Sequence, residues 1–343
     1  MSKRLVMCCD GTWNTAGQRS PTNVVKFRGA IALQAADGTE QKVFYHNGVG
    51  ANTNVWDRIR GGAFGFGLSK IVRETYRFLV QNYEPGDELF FIGFSRGAFT
   101  ARSTAGFVRN AGILRRDQAD RIKQAYALYR TDEGPDSQAA VAFRKAYALS
   151  DQTPIRFIGV WDTVGALGVP DVGLPGTNFL NRRWAFHDTK LSTRVQSAFQ
   201  ALAIDEARRP FEPTLWEPQP QAVNQELEQV WFAGVHCDAG GGYPERELAD
   251  ITLNWMINRA RACGLEFRNG AAPLDPNLAL GKLHDSRTGL YKLLSPDHRA
   301  LGVKDPSHEY AASSAVERHK KNTYAPENLT VYLGGPHQEM PTG

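Results

Sequence analysis

Residues 88–101 constrain this chain more than any other stretch. Glu88-Leu89-Phe90-Phe91-Ile92 is a run of mostly β-favouring apolar residues, Gly93-Phe94-Ser95-Arg96-Gly97 follows it, and Ala98-Phe99-Thr100-Ala101 opens like a helix. A strand that enters a helix through G-x-S-x-G needs a sharp turn with the serine at its apex. Gly93 and Gly97 remove side chains that would clash where strand and helix close on each other. The hydroxyl of Ser95 is then carried out over the end of a sheet. The positive end of the following helix points at it, where negative charge would develop during acyl transfer. The pattern alone turns up by chance in many chains, and the flanking strand and helix are what give it chemical meaning.

Other segments repeat the alternation of strand and helix. Strands are expected over residues 5–9, 42–45, 155–161 and 229–235, and a short one over 329–333. Helices are expected over 24–34, 68–82, 98–112, 117–149, 192–203 and 248–263, where apolar residues recur at helical spacing or polar helix formers dominate. Alternation of this kind predicts an α/β fold with a mostly parallel sheet and helices on both faces. A chain of 343 residues fits one such domain, 1–343, with cap-like insertions at about 117–149 and 166–225. Gly61-Gly62-Ala63-Phe64-Gly65-Phe66-Gly67 has the wrong glycine spacing for a dinucleotide site and follows no strand directly, so it is read as a flexible loop near the site.

Composition excludes several classes. Hydrophobic residues make up 42% and charged residues 22%, enough for a large core. The net charge of +4 is spread without a dense basic block, which argues against nucleic acid and permits only weak peripheral contact with an anionic membrane. Cys8, Cys9, Cys237 and Cys263 form neither a disulfide framework nor zinc-ligand spacing. Met1-Ser2-Lys3-Arg4 runs straight into a strand without a leader pattern, and no apolar run reaches membrane-spanning length. The expected home is the cytoplasm, with export by a route that needs no classical signal peptide as the alternative. The pattern carries no signal for oligomeric state.

Four predicted strands end in a polar residue followed by turn formers: Asp10, Ser95, Asp162 and His236. Ligands of open α/β sheets bind beyond the carboxyl ends of the strands, so these residues should gather along one rim. In chain order three of them run Ser95, Asp162, His236, the order of the α/β-hydrolase triad. A serine hydroxyl needs a base near neutral pH, and an imidazole titrates there. Asp162 would orient His236 and stabilise its charged form. Asp162 could instead cap a turn, and Asp205 is the rival acid. The oxyanion would fall to the N–H of Arg96 and to that of Gly11 or Thr12. Asp10 would orient that loop or cap a turn, and Asp238 follows the histidine closely enough to support the site. His46 is a lesser candidate base. His284 and the other histidines lie in polar segments and are expected at the surface. Tyr126, Tyr129, Phe179, Trp184, Phe186 and Phe199 would line an acyl pocket or simply fill the core.

Cys9-Asp10-Gly11-Thr12-Trp13-Asn14, Gly93-Phe94-Ser95-Arg96-Gly97-Ala98, Gly159-Val160-Trp161-Asp162-Thr163-Val164-Gly165 and Gly234-Val235-His236-Cys237-Asp238-Ala239-Gly240-Gly241-Gly242-Tyr243 stand in this order. Together with the segment 201–209, they resemble the uncharacterised α/β-hydrolase family that includes the catalytic domain of type VI secretion phospholipase effectors. The resemblance spans roughly residues 4–260. It implies Ser95 as nucleophile, His236 as base, Asp162 as a family strand-end aspartate, and a lipid or phospholipid-like ester as substrate. It brings no cofactor and no metal with it. The chain ends soon after the hydrolase core, where such effectors often carry membrane-docking regions, so a smaller ester is the alternative substrate.

Two other classes compete. A strand followed by Asp10-Gly11-Thr12 is similar to the D-x-D-G-T loop of haloacid-dehalogenase phosphatases, but Cys8 stands at the nucleophile position. A non-catalytic binding or effector protein on a hydrolase scaffold is the other, and the Ser, Asp and His set argues against it.

Overall fold

The computed structural model describes residues 2–12, 14–48, 63–131, 133–165, 189–271, 278–293, 295–321 and 324–342. Short apolar runs bounded by turn residues become the strands of one sheet. They are β1 (Arg4–Cys9), β2 (Gln41–His46), β3 (Glu88–Phe94), β4 (Ile155–Trp161), β5 (Val195–Ala203), β6 (Glu226–Phe232), β7 (Glu309–Ala312) and β8 (Glu339–Met340). Their order is β2-β1-β3-β4-β5-β6-β7-β8, and each neighbouring pair is parallel.

Parallel strands need crossovers, and helices supply them. The described helices are α1 (Asn23–Ala30), α2 (Ala63–Asn82), α3 (Arg96–Ala111), α4 (Ile122–Tyr129), α5 (Gln138–Tyr147), α6 (His236–Gly240), α7 (Glu247–Ala262), α8 (Ser313–Lys321) and α9 (Glu327–Gly334). They cover both faces of the sheet, and β1 shows how. Val6 and Cys8 join one core with Val24 and Phe27 of α1 and Met256 of α7. Leu5 and Met7, pointing the other way, join a second core with Val72 and Tyr76 of α2 and Ala101 and Val108 of α3. Strands buried on both faces carry near-continuous apolar runs, which is why β1, β3 and β4 stand out in the sequence.

The strand order fixes where a site can form. β1 lies between β2 and β3, so the chain passes β1 on its way from β2 to β3. The carboxyl ends of β1 and β3 meet at this reversal, the crevice where open α/β sheets bind ligands.

Several elements differ from expectation. The helix expected over 192–203 is the central strand β5. Its alanines and glutamines favour a helix in isolation, but parallel partners on both sides and burial on both faces override that preference. The strand expected over 329–333 is helix α9, which starts after Pro326 and buries Leu329 while Val331 faces solvent. The glycine-rich loop expected over 61–67 lies from Ala63 onward inside α2. Tyr126 and Tyr129 pack around Phe107 of α3, and Phe199 packs with Phe157 and Trp255, so these three aromatic residues build core rather than an acyl pocket. Phe179, Trp184, Phe186 and His187 lie outside the described residues. Among the described residues, no helix is long and apolar enough to cross a membrane.

Candidate active site

Ser95 occupies the apex of the turn between β3 and α3, with φ 58° and ψ −123°. A non-glycine residue in this region is strained, and such strain persists where packing over-determines it. The packing here is close. A Cβ on Gly93 would lie 2.5 Å from the carbonyl oxygen of Gly97, and one on Gly97 would lie 2.1 Å from that of Cys9. The Ser95 N–H donates to the Trp161 carbonyl (3.0 Å), tying the turn to the end of β4. Arg96, the next residue, opens α3, and burial lowers its side-chain pKa to about 10.

His236 is the first residue of α6, at the end of the loop that follows β6. Its Nδ1–H donates to Oδ2 of Asp162 at 2.5 Å. That bond leaves Nε2 as the nitrogen able to take a proton. The ring of Phe94, the residue before Ser95, lies over the imidazole with centroids 4.6 Å apart, and Phe211 closes its other side edge-on at 4.9 Å. Phe94, the residue that carries the chain into the Ser95 turn, thus packs directly on the His236 imidazole. Ser95 and His236 are both buried.

Asp162 ends β4 in a positive-φ turn (41°) and is completely buried. Burial opposes its charge, yet the Arg299 guanidinium and the bond from His236 more than offset that and hold the carboxyl well below the usual carboxylate range. The Ala203 N–H adds a third donor (3.1 Å). Asp205, the rival acid, faces elsewhere. It accepts from the Gly234 N–H (2.6 Å) and the Tyr324 hydroxyl (2.8 Å), and so braces the loop that leads to His236. Burial raises its pKa.

Asp10 ties the loop after β1 in place. It accepts from the Gly11 N–H (2.7 Å), the Thr22 hydroxyl (2.9 Å) and the Tyr45 hydroxyl (2.8 Å). Burial raises its pKa against these bonds. Gly11 was an expected oxyanion donor, but its N–H is already given to Asp10. Thr12 follows it in the same loop, and its buried hydroxyl has no hydrogen-bond partner among the described residues. A Cβ on Gly11 would lie 3.4 Å from that of Ser95, so this loop stands directly against the serine turn.

Asp238 accepts from the Val235 N–H (3.0 Å) and from Nδ1 of His284 (2.6 Å). It thus caps α6 and anchors the segment around His284, which is mostly buried and stacked on Tyr243 (3.9 Å) rather than at the surface. His46 is held by Glu74 (3.0 Å) and the Asn47 carbonyl (2.6 Å).

Two further residues belong to the site, and neither stands out individually in the sequence. Glu206 is buried, pairs with Arg208 (2.8 Å), and accepts from the Ser286 hydroxyl (2.9 Å) and the backbone N–H of His236 (3.3 Å). Its signals in the sequence are its place beside Asp205 and within the segment 201–209. Arg299 sits in a polar stretch with no motif at all.

Residues 3–259 match the family model described as the catalytic domain of Tle1-like type VI secretion phospholipase effectors. The chain belongs to this family. The matched region contains Asp10, Ser95, Asp162 and His236, and leaves out Arg299. An uncharacterized protein of Saccharomyces cerevisiae, YEL023C, is 28% identical over 239 residues, 64% of this chain and 33% of its own length. The chain therefore spans about a third of that relative. Two solved structures resemble it at a TM-score of 0.45. One, an uncharacterized protein from Pseudomonas aeruginosa, is 16% identical, with 81% of this chain and 48% of that one covered. The other, the Tle1 effector bound to the VgrG spike of the type 6 secretion system, is 13% identical, with 97% and 83% covered.

Proposed function

We propose that this chain is a serine hydrolase that cleaves carboxylic esters of lipids, of the phospholipid kind, through an acyl-enzyme. The observation that carries the reading is the strained Ser95 turn, whose preceding residue Phe94 packs on an imidazole that donates its Nδ1–H to a buried, ionised Asp162. His236 Nε2 would take the proton of the Ser95 hydroxyl as the oxygen attacks the ester carbonyl. Asp162 would hold the imidazole in the tautomer this needs and balance its charge once protonated. The oxyanion would be met by the N–H of Arg96 at the start of α3 and by Thr12, since the Gly11 N–H is engaged. His236 would then give its proton to the departing alcohol. A water activated by the same imidazole would free the acid and restore Ser95.

Family membership supports a lipid ester as the substrate, and peripheral contact with a lipid surface is part of this reading. Transfer of a phosphoryl group by Asp10 is disfavoured, because its carboxylate is taken up by Gly11, Thr22 and Tyr45.

The test is labelling by a fluorescent fluorophosphonate. It is followed by p-nitrophenyl esters of rising chain length and by phosphatidylglycerol vesicles. The wild-type chain should label and turn over long esters. Ser95→Ala should do neither while melting like the wild type. A Ser95→Ala protein with full esterase activity refutes the reading. Hydrolysis of short esters alone, with intact vesicles, refutes the lipid substrate.

A further inference from the structure

Arg299 reaches the site from beyond the family-matched region. Its buried guanidinium donates to both oxygens of Asp162, from Nη1 to Oδ1 at 2.6 Å and from Nη2 to Oδ2 at 3.0 Å. The same two nitrogens donate to the carbonyls of Ala203 (2.7 Å) and Phe211 (2.6 Å). Phe211 is the residue whose ring abuts His236. The carbonyl of Arg299 is itself held by the Asn328 amide (3.1 Å), which also binds the Ile204 carbonyl. One oxygen of Asp162, Oδ2, is thus shared between the imidazole and a permanent cation.

A buried carboxylate beside one histidine has two ways to fail. It can take up a proton and lose its grip, or it can hold the imidazole in its charged form and block it as a base. A guanidinium on the same carboxylate opposes both. It favours the anion by direct attraction and withdraws part of the field that would stabilise the imidazolium. We infer that Arg299 is a positioning residue that keeps Asp162 ionised and aimed at His236, and whose charge keeps the imidazole free to act as a base in mildly acidic solution. This inference rests on the triad reading above.

The other ionisable groups around His236 have hydrogen-bond partners of their own. Glu206, from the loop after β5, is matched by Arg208. Asp238, on the same short helix as His236, is hydrogen-bonded to Nδ1 of His284, whose Nε2 faces Glu245 at 3.4 Å. Burial pushes the thiol of Cys237 up to about 12, so it adds no charge near neutrality. Arg299 and Asp162 form the pair that bears directly on the ring.

The experiment measures kcat/KM for p-nitrophenyl butyrate from pH 5 to 9 on the full chain, with Arg299→Met, Arg299→Gln and Arg299→Lys beside the wild type. Arg299→Met and Arg299→Gln should move the acid limb upward by about one pH unit. The rate on that limb should fall about tenfold, and the alkaline plateau by a smaller factor. Arg299→Lys should return the limb to near its wild-type position with a lower plateau, since an ammonium supplies the charge without the planar two-pronged geometry that orients the carboxylate. Folded uncharged variants with an unmoved limb overturn the inference. So does Arg299→Lys with the limb of Arg299→Met, because charge would not be the cause. Failure of both uncharged variants to fold leaves Arg299 a structural role alone and overturns it as well. Ser95→Ala in the same series separates the two readings. Turnover by that variant removes the triad, whereas a dead Ser95→Ala with a stationary limb removes only the role of Arg299.

Discussion

Asp162 leads and Asp205 rivals it as the acid of the site. In the structure each lies just beyond the end of a strand, Asp162 after β4 and Asp205 after β5. Their hydrogen bonds separate them, because one meets the imidazole and the other braces Gly234 and Tyr324. Asp162→Asn should lower kcat by about 10³–10⁴-fold, because an amide favours the wrong imidazole tautomer. Asp205→Asn should keep most of the wild-type rate and lose stability instead. Steady-state kinetics on both variants check this, and equal, near-wild-type rates in the two would show that neither is the acid. Gly11 teaches the converse lesson. A backbone N–H in the right loop looked available until the Asp10 carboxylate beside it was seen to hold it.

At the scale of elements, the strand-turn-helix at Ser95 depends on backbone contacts that admit no side chain. The Cβ of Gly97→Ala would lie 2.1 Å from the Cys9 carbonyl oxygen, and α3 would have to lift from β1. The expected loss is about 1–3 kcal/mol, with a fall in kcat as Ser95 moves off the rim. Denaturant midpoints and kinetics measured together test it. An alanine variant as stable and active as the wild type would show that the turn is not held this tightly. Strand β1 allows a second check. Burial pushes the Cys9 thiol up to about 12, against the hydrogen bond with Thr75, and Cys8 is raised in the same direction. A thiol reagent at pH 8 should leave both unmodified in the folded chain and reach them in denaturant, as read by mass spectrometry of peptides. Rapid modification of either in the native state would contradict the packing of β1.

For the whole molecule, the buried Asp162–Arg299 pair joins the end of β4 to the segment that leads into β7. Asp162→Asn would leave a buried guanidinium without its counter-charge, at a loss of about 3–5 kcal/mol near neutral pH. The sign with pH follows from a carboxyl held below its ordinary value of 3.8. The charge of Asp162 contributes stability that is fully present above that value and is lost as pH falls through the folded-state value. Denaturant midpoints from pH 6 to pH 3 should show the gap between wild type and Asp162→Asn narrowing on the acid side. A gap of constant size would mean that the charge of Asp162 contributes no stability.

Sequence alone determined the parallel sheet and the rim residues, because apolar runs and turn residues act locally. β1, β3 and β4 carry their burial in their composition, and a serine between two glycines after a strand has few ways to turn. It could not determine β5, whose helix-favouring residues become a strand only between two parallel neighbours. Nor could it reveal Arg299, for an arginine in a polar stretch has no periodicity and no motif. Its meaning comes from a carboxylate far away in the chain, and charges separated along a sequence find one another only once the backbone has folded.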